Sequence, residues 1–535
     1  MNESWIPVVG LDGRVDEVSL CDIFLRAHEL RWLDAEAPPV TASLHRLLIA
    51  VLHRILDGPK NRHEWAEAWA HLEKQADGNA IPALPADRII AYFDNHAGEF
   101  DLFDASRPFL QCPALGKLEA RSAGQLVHFR AVGNNATLFD HTTGGDLTLT
   151  PAEAARWLVT VQAYDTGGLK TPFTTTKQSV VAPCNRFGVA LVEGKTLRET
   201  LLLNTCEYDP ASDKPWSSAN EDRPAWEAEV PAPEPDERMP YGWLDLLTWP
   251  SRRVLLRPAI IDGALAVDGA VVTPGTQLKD DLDRVEQMAA FERRPTKSKK
   301  DLAPFTPVRL QELRGVWRHA REMLLAEQEE RHRRPALLDQ VAEQVEWGTL
   351  SRHEVFTIRV FGQQLDDSGG GSVYTWLQEQ LPAPAALLNA RDEEVGAILG
   401  HCVALADGLG AALVELVAAC RRMFEAEWRP SSVRAAKRNA GLAQDYWPQL
   451  PAPFAKLLLQ IGEAVESEAS PEPAIAEWRD TVRHVAQEAA DQLVVQLRDR
   501  QARHLFALAG AYDGFARTVA KRCNIFDAHI TGYLP

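Results

Sequence analysis

Apolar residues recur at two different spacings along the first two thirds of the chain, and each spacing predicts a different element. Residues 42–56 carry apolar side chains at helical spacing, which predicts a buried helix. A Thr-Pro pair with a following Glu predicts the start of another helix, over 151–163. Residues 5–9 and 15–20 flank a Leu-Asp-Gly turn and predict two paired strands. Residues 255–272 alternate apolar runs with Asp-Gly turns, which indicates a β-hairpin.

The pattern changes beyond Pro384, where apolar residues repeat at helical spacing over long stretches rich in alanine. Prolines around 448–453 and 471–473 separate these stretches into helices with short connections. We therefore predict an α+β protein with two domains. A large mixed α/β N-terminal domain occupies residues 1–380, and a C-terminal antiparallel four-helix-type bundle occupies residues 381–535.

Composition narrows the class of protein. The chain has 535 residues and a formal net charge of −18, which argues against a protein that binds DNA non-specifically on its own. It does not exclude a subunit that touches nucleic acid through a few loops. The seven cysteines include no C-x-x-C pair, so neither a zinc ribbon nor a disulfide framework is expected. We find neither a signal pattern nor an apolar run of membrane-spanning length, and a cytoplasmic location follows by default.

The segment 162–178, QAYDTGGLKTPFTTTKQ, is the strongest candidate for a ligand contact. It combines two adjacent glycines with five threonines and two lysines. Backbone N–H groups, hydroxyls and ammonium groups all bind phosphate oxygens, and glycine lets the backbone approach a ligand closely. The spacing does not match the phosphate loop of nucleotide triphosphatases. The segment predicts a contact with a phosphate backbone, and an ordinary polar surface loop is an equally weighted alternative.

Two further segments are candidates for nucleic-acid contacts. Residues 363–372, QQLDDSGGGS, place a small-residue tip between two strand-like stretches, and such a tip can enter a minor groove. Its glutamines could read base edges, although a simple hairpin tip is the more common use of such residues. The run RRPTKSKK at 293–300 is the densest basic stretch of the chain, and a solvated loop is its alternative.

Several short motifs, in this order and spacing, resemble the CasA-type large subunit of the type I-E CRISPR surveillance complex, Cascade. Together with the predicted helical bundle that follows them, the resemblance spans nearly the full chain. The motifs are Trp5-Ile6-Pro7-Val8, Arg107-Pro108-Phe109-Leu110-Gln111, Gly167-Gly168-Leu169-Lys170, Arg198-Glu199-Thr200-Leu201-Leu202-Leu203-Asn204 and Trp249-Pro250.

This resemblance implies a function and a set of partners. The family's large subunit recognises the protospacer-adjacent motif (PAM) in double-stranded DNA, helps to open the duplex into an R-loop and docks a nuclease-helicase. The implied partners are the other Cascade subunits, the guide CRISPR RNA, the target duplex with its displaced strand, and the nuclease-helicase; no membrane is implied. Base pairing by the guide reads the remaining sequence. The family's subunit has no catalytic site of its own and no cofactor is implied. No metal is expected either, because the cysteine-rich cluster of some relatives is missing.

The resemblance also places nucleic-acid contacts on particular residues. One loop contacts RNA or DNA, the glycine segment contacts DNA, one lysine of the basic run reaches the minor groove, and the small-residue hairpin forms a wedge between bases. The implied contact residues are Asn134, Asn135, Phe139, His141, Gly167, Gly168, Lys170, Lys297, Lys299, Lys300, Gln363, Gln364, Gly369, Gly370, Gly371 and Ser372.

Two other functions remain open at the level of sequence. Asp366 and Asp367 form a carboxylate pair that could hold Mg²⁺ in a metal-dependent nuclease, although a solvated turn beside glycines explains them as well. The chain could also be a non-catalytic interaction protein whose bundle docks partners and whose loops contact nothing. DNA cleavage by the isolated chain would indicate the first alternative. Loss of DNA recognition after loop mutation, with assembly intact, would exclude the second.

Overall fold

A computed structural model describes most of the chain. It covers residues 3–74, 78–128, 147–216, 222–279, 282–293, 303–309, 315–325, 332–365, 373–389, 393–424, 445–498 and 505–533. The chain forms two compact units. The first unit comprises Met1–Glu312, Glu330–Thr349 and Thr357–Gln380, and the second comprises Leu313–Glu329, Leu350–Phe356 and Leu381–Pro535. The predicted domain boundary at 380/381 stays a prediction.

Helices occur in both units, and the long ones are concentrated near the C-terminus. In the described parts of the chain they are α1 (Leu20–Leu25), α2 (Pro38–Leu56), α3 (Arg62–Ala70), α4 (Ala86–Asn95), α5 (Pro151–Tyr164), α6 (Leu197–Leu203), α7 (Trp243–Leu247), α8 (Leu282–Val285), α9 (Ala320–Leu324), α10 (Ala336–Glu346), α11 (Ala385–Asn389), α12 (Glu393–Phe424), α13 (Pro451–Glu466), α14 (Glu472–Arg498) and α15 (Leu505–Thr531).

Strands are mostly short and lie among the helices of the N-terminal two thirds. They are β1 (Ile6–Gly10), β2 (Val15–Val18), β3 (Leu30–Leu33), β4 (Leu72–Lys74), β5 (Ala80–Pro82), β6 (Arg121–Ser122), β7 (Gly168–Leu169), β8 (Gln178–Ser179), β9 (Val189–Glu193), β10 (Glu237–Arg238), β11 (Arg252–Ile261), β12 (Ala264–Pro274), β13 (Gln277–Leu278), β14 (Phe291–Glu292), β15 (Thr306–Pro307), β16 (His332–Arg333), β17 (Val355–Leu365) and β18 (Val373–Pro384).

The strands form several small sheets. The three-stranded ones have the orders β2-β1-β3, β11-β12-β6, β15-β14-β16 and β18-β17-β9, and β7 pairs with β8. The predicted strand pair at the N-terminus is confirmed, since β1 and β2 pair antiparallel from Ile6 opposite Val18. The predicted hairpin is also confirmed, because β11 and β12 are joined at Asp262 and Gly263, whose positive φ angles of 53° and 80° suit a tight hairpin turn.

Helix α2 lies at the centre of the first unit and confirms the prediction of a buried helix. It contacts α4, α5, α6 and α7, and nearly all of its residues are buried. Even Arg46 is buried, and its guanidinium pairs with Glu286 at 3.0 Å. A buried cation needs such a partner, because an uncompensated charge in the interior is strongly unfavourable.

The second unit is helical, as the spacing of its apolar residues predicts. Helix α14 runs antiparallel to α15, since Arg479 contacts Asp527 at 3.0 Å while Tyr512 contacts Asp491 at 2.6 Å. Trp478 packs among Trp317 and Phe454 and donates from its indole nitrogen to a backbone carbonyl of α12. The α+β fold class with a C-terminal helical region is confirmed.

Helix α12 contains an apolar stretch that the sequence analysis missed. Glu394–Met423 is long and apolar enough, by length and composition, to cross a membrane. Half of the window that meets this test is buried within the protein, where α12 contacts α14 and α15. A core helix of a soluble bundle has the same composition, so this stretch is weak evidence for a membrane span.

Candidate nucleic-acid interface

The glycine segment begins where α5 ends. Thr150 caps the first turn of α5 in a capping box with Glu153, so the predicted helix start is confirmed. The helix ends at Tyr164, and Asp165 leaves it in an extended conformation with its backbone N–H still bonded to Val161. The carboxylate of Asp165 therefore enters the protein interior at the first residue after α5.

Asp165 is buried and surrounded by three basic side chains, which we call the Asp165 cluster. Lys170 Nζ lies 2.7 Å from its Oδ2, Arg252 Nε donates to the same oxygen, and His128 Nε2 lies 3.5 Å from Oδ1. Burial alone would raise the pKa of Asp165, but the charges of Lys170 and Arg252, with His128, hold it well below its ordinary value. Asp165 is therefore an anion that fixes its basic neighbours.

Arg252 joins the two ends of the glycine segment. Its Nη2 donates to the carbonyl oxygens of Thr166 at 3.0 Å and Val180 at 2.7 Å. Its backbone exchanges two hydrogen bonds with the side-chain amide of Gln162, at 2.9 and 3.0 Å. A fully bonded buried arginine of this kind acts as a rigid clamp, because its planar fork has few alternative arrangements.

The clamped segment folds into a short antiparallel hairpin, which we call the glycine hairpin (residues 167–179). Gly168 pairs with Ser179, and Lys170 N donates to Lys177 O at 2.9 Å. Gly168 has φ +112°, which favours glycine. A Cβ on Gly167 would lie 3.1 Å from Ser179 O, so a larger residue there would crowd the returning strand. Both glycines are thus required by the hairpin itself.

The tip of the hairpin has an anchored part and an exposed part. Phe173 packs on a small apolar cluster, and Lys117 Nζ lies 3.7 Å from the centre of its ring. Residues 174–178 are exposed, and we call them the tip segment. Within the described part of the chain, the Lys177 ammonium makes no ion pair. The buried members of the apolar cluster are Cys112, Leu115 and Val271.

Gln363 ties the hairpin formed by β17 and β18 to the two segments that flank the glycine hairpin. Its amide donates to Tyr164 O at 3.1 Å and to Asn185 Oδ1 at 2.9 Å, and it accepts from Trp376 Nε1 at 2.9 Å. Asn185 in turn donates to the carbonyl of Asp165 at 2.9 Å. Gln363 is therefore a buried connector in this structure, with its amide fully used by the protein.

The structure locates only part of the predicted contact set. Gly167, Gly168 and Lys170 lie in the glycine hairpin, but Lys170 points to Asp165 and its side chain is only 18% exposed. Gln363 is buried, and Gln364 is half-buried on the same strand. The remaining predicted residues fall outside the described ranges; they are Asn134, Asn135, Phe139, His141, Lys297, Lys299, Lys300, Gly369, Gly370, Gly371 and Ser372.

Sequence reasoning missed the residues that hold the hairpin in place. The signal for Arg252 was available, because two arginines open an apolar strand and a buried arginine requires a carboxylate. Asp165, placed between a helix and two glycines, was the natural partner. His128 and Asn185 gave no comparable signal, since their roles depend on contacts between residues distant in sequence.

Metal and nucleophile chemistry finds no support in the described part of the chain. No group of three His, Cys, Asp or Glu residues there has the geometry to hold a metal ion. Burial raises the pKa of the Cys184 thiol to about 12, so it stays protonated at neutral pH. Asp366 and Asp367, the candidate nuclease pair, are not among the residues described.

Comparison with known proteins adds the family. Residues 1–489 match the family described as CRISPR-associated protein Cse1. The chain is 30% identical over 545 aligned positions to CasA/Cse1 of Thermus thermophilus, covering 97% of both proteins. The crystal structure of Cse1 from Acidimicrobium ferrooxidans matches with a TM-score of 0.79 at 26% identity, covering 98% of each chain.

A chain of a CRISPR RNA-guided surveillance complex matches with a TM-score of 0.67 at 20% identity, covering 98% of each chain, which shows a shared fold. The family match covers most of the sequence, and the 30% identical relative covers nearly all of it. The resemblance found in the sequence is thereby confirmed. The chain belongs to the CRISPR-associated Cse1 (CasA) family.

Proposed function

We propose that this chain is the large subunit of an RNA-guided CRISPR surveillance complex of type I-E and that it recognises the PAM in double-stranded DNA. In this role it promotes R-loop formation and docks the nuclease-helicase, without a catalytic site of its own. Its partners are the other Cascade subunits, the guide RNA and the target duplex. Membership of the Cse1 family supports the assignment, as does the shared fold with a chain of a surveillance complex.

The observation that carries the DNA contact is the anchored glycine hairpin with its exposed tip segment. Thr174, Thr175, Thr176 and Lys177 offer three hydroxyls and an ammonium to solvent, which are donors that phosphate oxygens accept. The Asp165 cluster and Phe173 fix the base and the side of the hairpin, so little conformational entropy is lost when the tip binds. In this proposal Lys170 stabilises the base of the hairpin by pairing with Asp165, and the ammonium of Lys177 contacts phosphate.

The net charge of the chain is consistent with a small number of DNA contacts at this hairpin. At −18 the chain cannot hold a long stretch of DNA through its own charge. A few placed contacts are sufficient if the partner subunits hold most of the backbone and the guide RNA reads the sequence by base pairing. The lysines Lys297, Lys299 and Lys300 belong to the proposal as further backbone or minor-groove contacts.

The contacts of Gln363 indicate how the β17–β18 hairpin, the candidate wedge, is held in position. It links the β17–β18 hairpin to Tyr164 and Asn185, which flank the glycine hairpin on its two sides. We assign Gln363 a positioning role and leave the opening of base pairs to the tip at 366–372. Tyr374, which is 51% exposed at the start of β18, adds an aromatic face on which an unpaired base can stack.

The experiment is binding of target duplex by the complex reconstituted with guide RNA, with and without this chain. With the chain present, affinity for a duplex carrying the motif exceeds affinity for the same duplex with the motif scrambled. The tip variant Thr174→Ala, Thr175→Ala, Thr176→Ala, Lys177→Gln assembles normally and binds the motif duplex more weakly. Equal affinity for both duplexes, or DNA cleavage by the isolated chain with Mg²⁺, contradicts the proposal.

Substitution of Gly167 and Gly168 by Asp does not separate the loss of a DNA contact from a distortion of the hairpin. Gly168 has a positive φ and a Cβ on Gly167 would crowd Ser179 O at 3.1 Å, so both changes strain the hairpin as well as adding negative charge. The exposed tip segment offers a cleaner test, because its side chains do not support the fold.

A further inference from the structure

Three basic side chains and a tyrosine converge in the second unit, far along the chain from the residues discussed above. They come from α9, α12 and the end of α15, and we call them the His401 cluster. Its members are Arg321, His401, His529 and Tyr533.

The cluster is close-packed. The imidazole rings of His401 and His529 have centroids 4.8 Å apart, and the ring of Tyr533 lies 5.6 Å from that of His401. Arg321 runs alongside Gly400, where a Cβ would lie 3.9 Å from its Nη1. Three elements therefore bring a guanidinium, two imidazoles and a phenol to one place, where His529 is exposed and the others are half-buried.

Among the residues that the structure describes, the charges of the cluster are not balanced by acidic groups. Within the described residues, none of the three basic side chains pairs with a carboxylate. Burial lowers the pKa of His401, and the neighbouring His529 and Arg321 lower it further, with no carboxylate acting in the opposite sense. The C-terminal end of α15 supplies about half an elementary negative charge, which offsets only part of the cluster's charge when the histidines are protonated.

We propose that the His401 cluster is a binding site for a phosphoryl oxyanion, supplied by a nucleic-acid backbone or by free phosphate. The guanidinium, the imidazole N–H groups and the phenol hydroxyl are all hydrogen-bond donors to such an anion. An anion relieves the repulsion among the basic groups. A divalent metal fits less well, since the guanidinium repels it and no three-ligand group occurs among the described residues.

The proposal predicts a specific pH dependence. A bound anion favours the protonated form of His401, whose pKa lies below its ordinary value in the free chain, so phosphate should bind more tightly as the pH falls below neutrality. We expect affinity for phosphate to be about three- to tenfold higher near pH 6 than near pH 8. Phosphate itself gains charge as the pH rises, so an increase in affinity toward low pH would come from the protein.

The test measures binding of inorganic phosphate to the full chain by titration calorimetry, with chloride at matched ionic strength as the reference anion. The variant Arg321→Gln should bind phosphate about tenfold more weakly. The double variant His401→Gln, His529→Gln should lose the rise in affinity at low pH. The matched control is His484→Gln, because His484 is 75% exposed and already faces Glu488 at 4.0 Å.

A single-stranded oligonucleotide distinguishes the two sources of the anion. Competition between the oligonucleotide and phosphate, lost in Arg321→Gln, supports a nucleic-acid backbone as the ligand. Phosphate binding without competition supports free phosphate at the same site. The proposal is overturned if phosphate binds no better than chloride, if the cluster variants match the wild type, or if Zn²⁺ alone stabilises the chain through these histidines.

Discussion

Two hairpins of the first unit meet at Arg252 and are stabilised in opposite ways. The β11–β12 hairpin is paired from Arg252 opposite Pro274 to Ile261 opposite Ala264, with one register shift between Arg257 and Pro258 and a tight Asp-Gly turn. The glycine hairpin has only two paired positions in its ladder. Its shape depends on tertiary contacts, namely the Asp165 cluster at its base and Phe173 at its side.

This difference determines which substitutions destabilise each hairpin. A long ladder distributes its stability over many cross-strand pairs, so one surface substitution has a small effect. A two-position ladder is not stable by itself, and the loss of one buried charge releases it. The Asp165 cluster therefore holds the glycine hairpin, with its exposed tip segment, in a fixed direction although the hairpin is not part of an extended sheet.

The largest effect is expected from Asp165→Asn. The substitution keeps the shape of the side chain but leaves the buried Arg252 and the Lys170 ammonium without their anion. We expect the free energy of unfolding to fall by about 3–5 kcal/mol, measured by urea denaturation.

The matched control is Asp268→Asn in the long hairpin, where Asp268 pairs with Arg257 at 2.7 Å near the surface. It should cost about 0–1 kcal/mol. Equal losses in the two variants would show that the Asp165 cluster does not behave as a buried ion cluster.

The pH dependence of the stability difference between wild type and Asp165→Asn tests the ionised state of Asp165. Because the pKa of Asp165 is depressed in the folded chain, its stabilisation is complete above its unfolded pKa, about 3.9, and is lost as the pH falls through the lower folded pKa. The stability difference between wild type and Asp165→Asn should stay constant from neutral pH to about 4 and narrow below it. A difference that narrows between neutral pH and 5 contradicts the depressed pKa.

A smaller effect is expected from Gln363→Ala. It removes the buried amide that bridges Tyr164, Asn185 and Trp376, and it should destabilise the fold by about 1–3 kcal/mol. R-loop formation on paired duplex should also slow, because the β17–β18 hairpin loses its link to the segments that flank the glycine hairpin. Gln378→Ala, an exposed position on β18, serves as the control and should change neither quantity.

The smallest effects on stability are expected from alanine substitutions at one glycine of each hairpin. Gly168→Ala and Gly263→Ala both place a Cβ at positive φ, at +112° and +80°, and each should cost about 1–2 kcal/mol in thermal unfolding. Only Gly168→Ala should weaken DNA binding by the assembled complex. Equal losses of DNA binding would indicate a general effect of stability and not a contact at the glycine hairpin.

The wedge hypothesis has its own test on the β17–β18 hairpin. Deleting residues 368–371 should impair R-loop formation on a fully paired target, since opening a base step costs about a few kcal/mol. A target already unpaired beside the motif should be bound normally by the deletion variant. Equal impairment on both targets would make the hairpin a binding or structural element.

Much of the fold was predictable from local patterns. The buried helix at 42–56, the start of α5 and the Asp-Gly hairpin each have strong short-range signals, and all three are confirmed. The composition of the glycine segment also indicated a loop rich in phosphate-binding groups. These features depend on residues that are close in sequence.

The internal geometry of the site was not predictable in the same way. Lys170 has the composition of a phosphate contact, yet it pairs with Asp165 five residues earlier, while Arg252 reaches the segment from 87 residues further along. Gln363 looked like a base reader, and its amide is used by Tyr164 and Asn185. Whether a polar side chain faces solvent or a buried partner depends on the packing of distant segments.

The most direct test of the central claim is the salt dependence of DNA binding by the assembled complex carrying Lys177→Gln. If Lys177 contacts a phosphate, the slope of log affinity against log salt concentration should decrease in magnitude by about 0.9. Lys74→Gln, at an exposed lysine on β4, should leave the slope unchanged. An unchanged slope for Lys177→Gln, with the complex fully assembled, would contradict the assignment of the glycine hairpin as a DNA contact.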